Sequence, residues 1–255
     1  MELFDTHCHL QVEEFDVDRE AVIARAHAAG VAAIAVPGIH LDDLASVLAV
    51  CRTHEELYPA LGLHPIYLDR HRQADVQALA ELVARERPVA IGEIGLDYFV
   101  KELDRERQQW LFEAQLAVAR DAGLPVLLHV RKAHDEVLAT LRRMRFPHGG
   151  VAHAFSGSRQ QAEQYIELGF KLGFGGVVTF DRAKKIRRLA RELPLTAIVL
   201  ETDAPDLPPV SHRDGRNSPE YLPEILATLA ELRDADTDEV ARQTTANARA
   251  MLKLL

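Results

Sequence analysis

Val126-Leu127-Leu128-His129-Val130 is an apolar run interrupted by one histidine, and Val151-Ala152-His153-Ala154-Phe155 repeats that pattern. Between them, 133–144 places Val137, Leu138 and Leu141 on one side of a 3.6-residue period. A short apolar run, an amphipathic helix and a second short apolar run read as one β-α-β unit, with the two strands parallel. The same alternation extends outward in both directions. Strands are expected near 2–8, 32–37, 60–64, 89–95, 126–130, 151–155, 171–175 and 197–202. Helices are expected near 19–29, 41–57, 75–85, 104–122, 133–144, 158–168 and 183–192, with two more at 219–232 and 237–254. Gly30, Gly123 and Gly169 mark helix ends, and Ser158 and Thr237 read as N-caps. No strand is followed by a glycine-rich phosphate fingerprint, which argues against a dinucleotide or P-loop fold. Eight evenly spaced strands in 255 residues fit one closed (β/α)₈ TIM barrel, read as a single domain over 1–255.

In such a barrel the active site is built at the C-terminal ends of the strands. The polar residues gather there: Asp5-Thr6-His7-Cys8-His9, Gly62-Leu63-His64-Pro65, Gly92-Glu93, His129-Val130-Arg131, His153 and Glu201-Thr202-Asp203. Five of the 12 histidines fall on this rim. Residues two apart in a strand share a face, so His7 pairs with His9, His129 with Arg131 and Glu201 with Asp203, while Cys8 points away. A lone His or Glu on a strand is more often a capping or core-edge partner than a ligand. Six converging groups, His7, His9, Glu93, His129, His153 and Asp203, are instead the donor set of divalent ions in the Zn, Mn or Mg range. Six exceed the needs of one four-coordinate ion and suit two, with Glu93 as the bridge. His27, His40, His54, His71 and His148 read as solvated, and Trp110, Phe112 and Leu116 as packing against the barrel.

The charge balance, 30 basic against 39 acidic residues, is −9, which excludes a broad basic face for duplex nucleic acid. The basic side is 24 Arg to 6 Lys, and Arg is the better bidentate partner for phosphate. The basic run Lys184-Lys185-Ile186-Arg187-Arg188 reads first as a solvated helix face. Two cysteines make no disulfide framework, 28–39 is too short and broken to span a membrane, and the first residues carry no secretory pattern. A cytoplasmic protein without membrane or obligate protein partner is expected.

The blocks Asp5-Thr6-His7-Cys8-His9-Leu10, Gly62-Leu63-His64-Pro65, Gly92-Glu93-Ile94-Gly95-Leu96-Asp97 and Glu201-Thr202-Asp203-Ala204-Pro205 closely resemble the signatures of the TatD family of metal-dependent hydrolases. The match also takes in Arg107-Gln108 to Gln115, Pro125 to Arg131 and His153-Ala154-Phe155-Ser156-Gly157, and so runs nearly end to end. The resemblance implies an amidohydrolase-type barrel, a two-metal centre and divalent-metal-dependent phosphodiester hydrolysis on DNA, often as a 3′–5′ exonuclease. It assigns one ion to His7, His9, Glu93 and Asp203, the other to Glu93, His129 and His153, and puts His64 beside the scissile phosphate. Departures fall at Asp206-Leu207-Pro208-Pro209, at Arg213-Asp214-Gly215-Arg216-Asn217 and at Arg131-Lys132-Ala133-His134.

The expected chemistry is attack on phosphorus by water activated between two ions of Mg, Mn or Zn. Asp203 is the expected proton acceptor, with Glu201 in reserve. His64, Arg131 and Arg216 are expected to hold the phosphate oxygens at the end of a single DNA strand. The alternative is a small amide, ester or phosphotriester at the same metals. A non-catalytic metal-binding protein would lack ligands or have a blocked mouth, and the ligand set here is complete.

Overall fold

In a computed structural model, which describes residues 2–254, eight parallel strands form one sheet in sequence order. They are β1 (Leu3–Asp5), β2 (Val31–Pro37), β3 (Leu57–Leu61), β4 (Ala90–Asp97), β5 (Val126–Arg131), β6 (Gly150–Ala152), β7 (Phe170–Phe174) and β8 (Ile198–Leu200). The ends of the sheet meet through Thr6 N–H to Leu200 O (3.0 Å), Asp203 N–H to His7 O (2.8 Å) and His9 N–H to Ala204 O (2.8 Å), so the barrel closes. Helices α1 (Arg19–Ala28), α2 (Leu44–Thr53), α3 (Gln73–Glu86), α4 (Arg105–Ala122), α5 (His134–Arg143), α6 (Arg159–Glu167), α7 (Lys184–Glu192), α8 (Leu222–Arg233) and α9 (Thr237–Met251) wrap the outside. Period-two alternation splits the core. Phe4, Ala35, Leu127, Val151 and Val199 fill the barrel and meet Ala248 of α9 and Leu252 just past it, while the other parity packs under the helices.

Strands β1, β6 and β8 are shorter than the sequence suggests, β2, β4 and β5 a little longer, and β3 is displaced. The expected third strand, 60–64, forms instead at Leu57–Leu61, because α2 stops at Thr53 and the extended His54 leads the chain into pairing of Leu57 with Ile34. Residues 62–64 then leave the sheet and run over β4. A Cβ on Gly62 would stand 2.6 Å from the Gly92 carbonyl carbon, so only glycine permits that approach. Ser158 caps α6 in a reciprocal capping box with Gln161, whereas α9 is capped by Asp236, and Thr237 is its first helical residue.

Helix α4 shows how the frame reaches the mouth. Asp104 accepts from Glu106 N–H and Arg107 N–H at its start, and Gly123 closes it at φ 70°. Its buried face carries Phe112 and Leu116, as the spacing predicts, but Trp110 lies off that face and is 42% exposed. Two glutamines are buried on it. Gln115 exchanges both amide hydrogen bonds with the Leu63 backbone (2.7 and 3.0 Å), and Gln108 does the same with Asp97 (2.8 and 2.9 Å). One helix thus pins the chain beside His64 and at the end of β4.

Candidate metal centre

The polar residues lie in or just past the strand ends, where irregular backbone aims them inward. Asp5 stitches the first strand to the last: its carboxylate accepts from Thr202 N–H (2.9 Å), Thr202 Oγ1–H (2.5 Å) and His7 N–H (3.2 Å). Burial pushes its pKa up to about 7 against those hydrogen bonds. The bend at Thr6 turns His7 and His9 into the mouth and leaves Cys8 in the outer core. Ala154 and Asp203 adopt left-handed φ of 42° and 60°, beside His153 and at the end of the last strand segment.

Glu93 is the hub. Its Oε2 stands 3.1 Å from His7 Nε2 and 3.4 Å from His9 Nε2, and its Oε1 stands 2.9 Å from His129 Nδ1 and 3.2 Å from His64 Nε2. The two oxygens of one buried carboxylate therefore face two groups of imidazoles. Asp203 Oδ1 lies 3.4 Å from His153 Nε2 and 3.8 Å from both His7 and His9, and His153 stacks on His7 with ring centroids 3.6 Å apart. Three sets bring their donor atoms within 4.8 Å of one another: His7, His9 and Glu93; His7, His153 and Asp203; His64, Glu93 and His129.

Tautomers separate ligands from donors. His9 Nδ1 contacts the Pro37 carbonyl (3.1 Å), which can only accept, so in the neutral ring the Nε2 lone pair points at Glu93 and His7. His129 has Asp97 Oδ2 2.9 Å from Nε2, which fixes the proton there and turns the Nδ1 lone pair toward Glu93. His64 is the reverse: Nδ1 accepts from Ile66 N–H (3.1 Å), so Nε2 carries the proton and donates. Burial holds His64 down to about 4, neutral at pH 7. Burial also opposes charge on His129, but Asp97 and Glu93 outweigh it and raise that ring to about 9, so its Nδ1 lone pair is freed only when a bound cation displaces the proton shared with Glu93. Against the upward push of burial, the facing imidazoles hold Glu93 well below the carboxylate range and Asp203 below its ordinary value. Ring nitrogens of His7, His9, His129 and His153 converging with the carboxylates of Glu93 and Asp203 fit divalent cations chemically.

Of the six expected ligands, His9, Glu93, His129, His153 and Asp203 line a mouth cavity of about 560 Å³, as do His64 and Arg131, while His7 is fully buried against them. Glu201 is fully buried behind His153, with Oε1 3.1 Å from His153 Nδ1 and accepting from Ala154 N–H (2.5 Å). Arg216 does not reach the mouth. Its guanidinium forms a fork with Asp18 (2.9 and 2.8 Å) and lies over the Phe15 ring at 4.4 Å, so it anchors the loop after β8 to the start of α1. His71, expected in solvent, is buried and hydrogen-bonds the His64 carbonyl through Nε2 (2.9 Å). Asp97 and the Gln108/Gln115 pair escaped the residue-by-residue reading. Two amides seven apart on an apolar helix face were the available signal.

A closed eight-stranded parallel barrel with imidazoles and carboxylates converging at its C-terminal mouth is the architecture of the amidohydrolase-type metal-dependent hydrolases. The family model described as TatD related DNase matches residues 4–253, and the chain belongs to that family. The chain is 44% identical over 240 residues to the metal-dependent hydrolase YjjV of Escherichia coli (strain K12), covering 93% of each. The crystal structure of that TatD homologue superposes with a TM-score of 0.96 at 42% identity, over 99% of this chain and 98% of the other. A Klebsiella pneumoniae (strain 342) protein named 3′-5′ ssDNA/RNA exonuclease TatD is 35% identical over 256 residues, covering 98% of this chain and 97% of its own.

Proposed function

We propose that the chain is a divalent-metal-dependent phosphodiesterase that removes nucleotides from the 3′ end of single-stranded DNA. The observation that carries this reading is the convergence of His7, His9, His129 and His153 on Glu93 and Asp203, and the relative named as an exonuclease supports the choice of substrate. One ion would be held by His7, His9, Glu93 and Asp203, and a second by Glu93, His129 and His153. Bound there, the ions would neutralise charge on the phosphoryl group and make water nucleophilic at neutral pH. Asp203, ionised at pH 7, takes the water's proton at its carboxylate. His64 Nε2–H and the Arg131 guanidinium bind non-bridging oxygens, and Glu201 holds His153 in place. The P–O3′ bond breaks as water oxygen adds to phosphorus. The protein is further read as one domain at work in the cytoplasm, where the free thiols Cys8 and Cys51 stay reduced.

The test is digestion of 5′-labelled single-stranded DNA by metal-stripped protein reloaded separately with Mg²⁺, Mn²⁺ or Zn²⁺. A ladder shortening from the 3′ end is expected with at least one ion and none without. Glu93→Gln should lower kcat by more than the ~100-fold typical of losing an outer-shell partner, with an unchanged circular dichroism spectrum. Metal-independent digestion, or full activity of Glu93→Gln, would sink the reading. Part of the cavity lining is apolar, including Val12, Ile66, Phe155 and Val177, which favours a small ester or cyclic amide as the second substrate class. A panel of those compounds belongs in the same assay, and turnover of them with DNA left intact would replace the first reading.

A further inference from the structure

The mouth is electrically lopsided. On the side built by the loops after β8 and β1, its wall carries Asp206 and Glu14, with no cation among the residues that line it. On the side built after β5, β6 and β7 the wall is Arg131, Ser156, Val177 and Ile186. Ile186 is the one residue of α7 that reaches the cavity. Around it stand Arg182, Lys184, Lys185, Arg187 and Arg188, five of the chain's 30 basic residues within seven positions.

Most of that charge is available. Lys184, Lys185 and Arg188 are exposed. Lys185 gives one hydrogen bond to the Ser156 carbonyl at the cavity wall (2.6 Å), which fixes the helix against the mouth and leaves the ammonium two further donors. Arg187 alone has an acidic neighbour on this stretch, Asp181 at 3.4 Å, and it also donates to the Val178 carbonyl (3.0 Å). Lys184 and Arg188 form no ion pair within 4 Å among the described residues. A run of basic residues on an ordinary surface helix is usually a solvated face. Here Lys184 and Arg188, two positions either side of Ile186, lie on the outer side of α7, where a strand leaving the cavity over Ile186 would cross the helix away from the acidic wall. A polyanion entering the mouth is steered to that side.

We infer that the single strand whose 3′ end occupies the cavity continues outward across α7, with Lys184, Lys185 and Arg188 holding its phosphates and Val177 and Ile186 lying under its sugars and bases. The inference rests on the nucleic-acid reading above and adds the path of the strand and the residues that grip it. No base edge is read by such contacts, so binding is independent of sequence.

The experiment measures equilibrium binding of a labelled single-stranded oligonucleotide of about 12 nucleotides to the metal-free protein across a salt series. K184E/R188E should weaken binding at least about tenfold at ~50 mM salt, and K184Q/R188Q should flatten the slope of log K against log salt by about 1.4, near 0.7 per lost contact. Hydrolysis of a dinucleotide by the metal-loaded variants should match the unmodified protein, because neither residue touches the cavity. R85E/R145E, an equal charge change at the opposite end of the barrel, should leave the slope unchanged. Unaltered affinity and slope in the α7 variants, or an equal loss in R85E/R145E, would overturn the inference. If the metal-loaded protein left DNA intact while the α7 variants still lost binding, the nuclease reading would fail and the strand path would stand. Normal cleavage with α7 variants indistinguishable from the unmodified protein would reverse that outcome.

Discussion

At the mouth of this barrel each histidine is defined by what lies behind it. Asp97 shows the principle. Its Oδ1 accepts from Phe99 N–H (2.9 Å) and Val100 N–H (3.1 Å), and its Oδ2 faces His129 Nε2, so it takes only the tautomer whose Nδ1 lone pair meets Glu93. Asp97→Asn keeps the backbone contacts through its amide oxygen but presents an N–H to His129. The ring must then accept at Nε2 and carry its proton on Nδ1, where a metal ligand needs a lone pair. Metal affinity should fall about 10–100-fold with the fold intact. Calorimetric titration with Mn²⁺ or Zn²⁺ measures the loss, and ¹⁵N shifts of the His129 ring report the tautomer. An unchanged affinity, or a weaker one with the original tautomer, would remove Asp97 from the positioning role. Residue type and strand parity pointed to His7, His9, Glu93, His129, His153 and Asp203, and in the structure these side chains lie together at the mouth. Those signals could not place Arg216, which lies in the loop between β8 and α8 where strand parity does not apply, and only the fold shows that Asp18 and Phe15 hold it away from the mouth.

At the scale of elements, the site depends on close contact between backbones. Strands β4 and β5 carry Glu93 and His129, and they run in register from Ile94 opposite Leu128 to Asp97 opposite Arg131. Gly95 lies in that ladder at φ 146°, and a Cβ there would stand 2.0 Å from the His129 carbonyl oxygen. Gly95→Ala combines left-handed strain with a backbone clash, worth together about 3 kcal/mol or more. For a chain of this size Tm should drop by roughly 6–12 °C in calorimetry. Metal affinity should fall in parallel, because the clash pushes on the residue that bears the ligand. A variant with unaltered Tm would mean that the strands part at no cost. Helices with strong caps, such as α4 and α6, were legible in the sequence because their signals are local. Strand ends were not: β1, β6 and β8 are regular for only three residues each, and their polar tails follow tertiary bonds such as Asp203 N–H to His7 O.

At the scale of the whole molecule the net charge and the charge near the cavity oppose each other. A chain of −9 repels a polyanion from most directions; among the described residues Arg131 is the one Arg or Lys that lines the cavity, and the basic run around α7 borders it. About four phosphate contacts, from Arg131, Lys184, Lys185 and Arg188, would give single-stranded DNA a log K against log salt slope near −3 at ~0.7 per contact. A protein with a broad basic face, making 6–10 contacts on duplex DNA, would give a slope of about −5 to −9. The metal-free protein should therefore bind single strands weakly and with a shallow salt dependence. Duplex of the same length should bind more weakly still, because a strip one helix wide reaches one backbone and the opposite acidic wall repels the other. Fluorescence anisotropy with matched single- and double-stranded probes measures both quantities. A steep slope, or tighter binding of duplex than of single strand, would require a basic surface beyond the strip at α7.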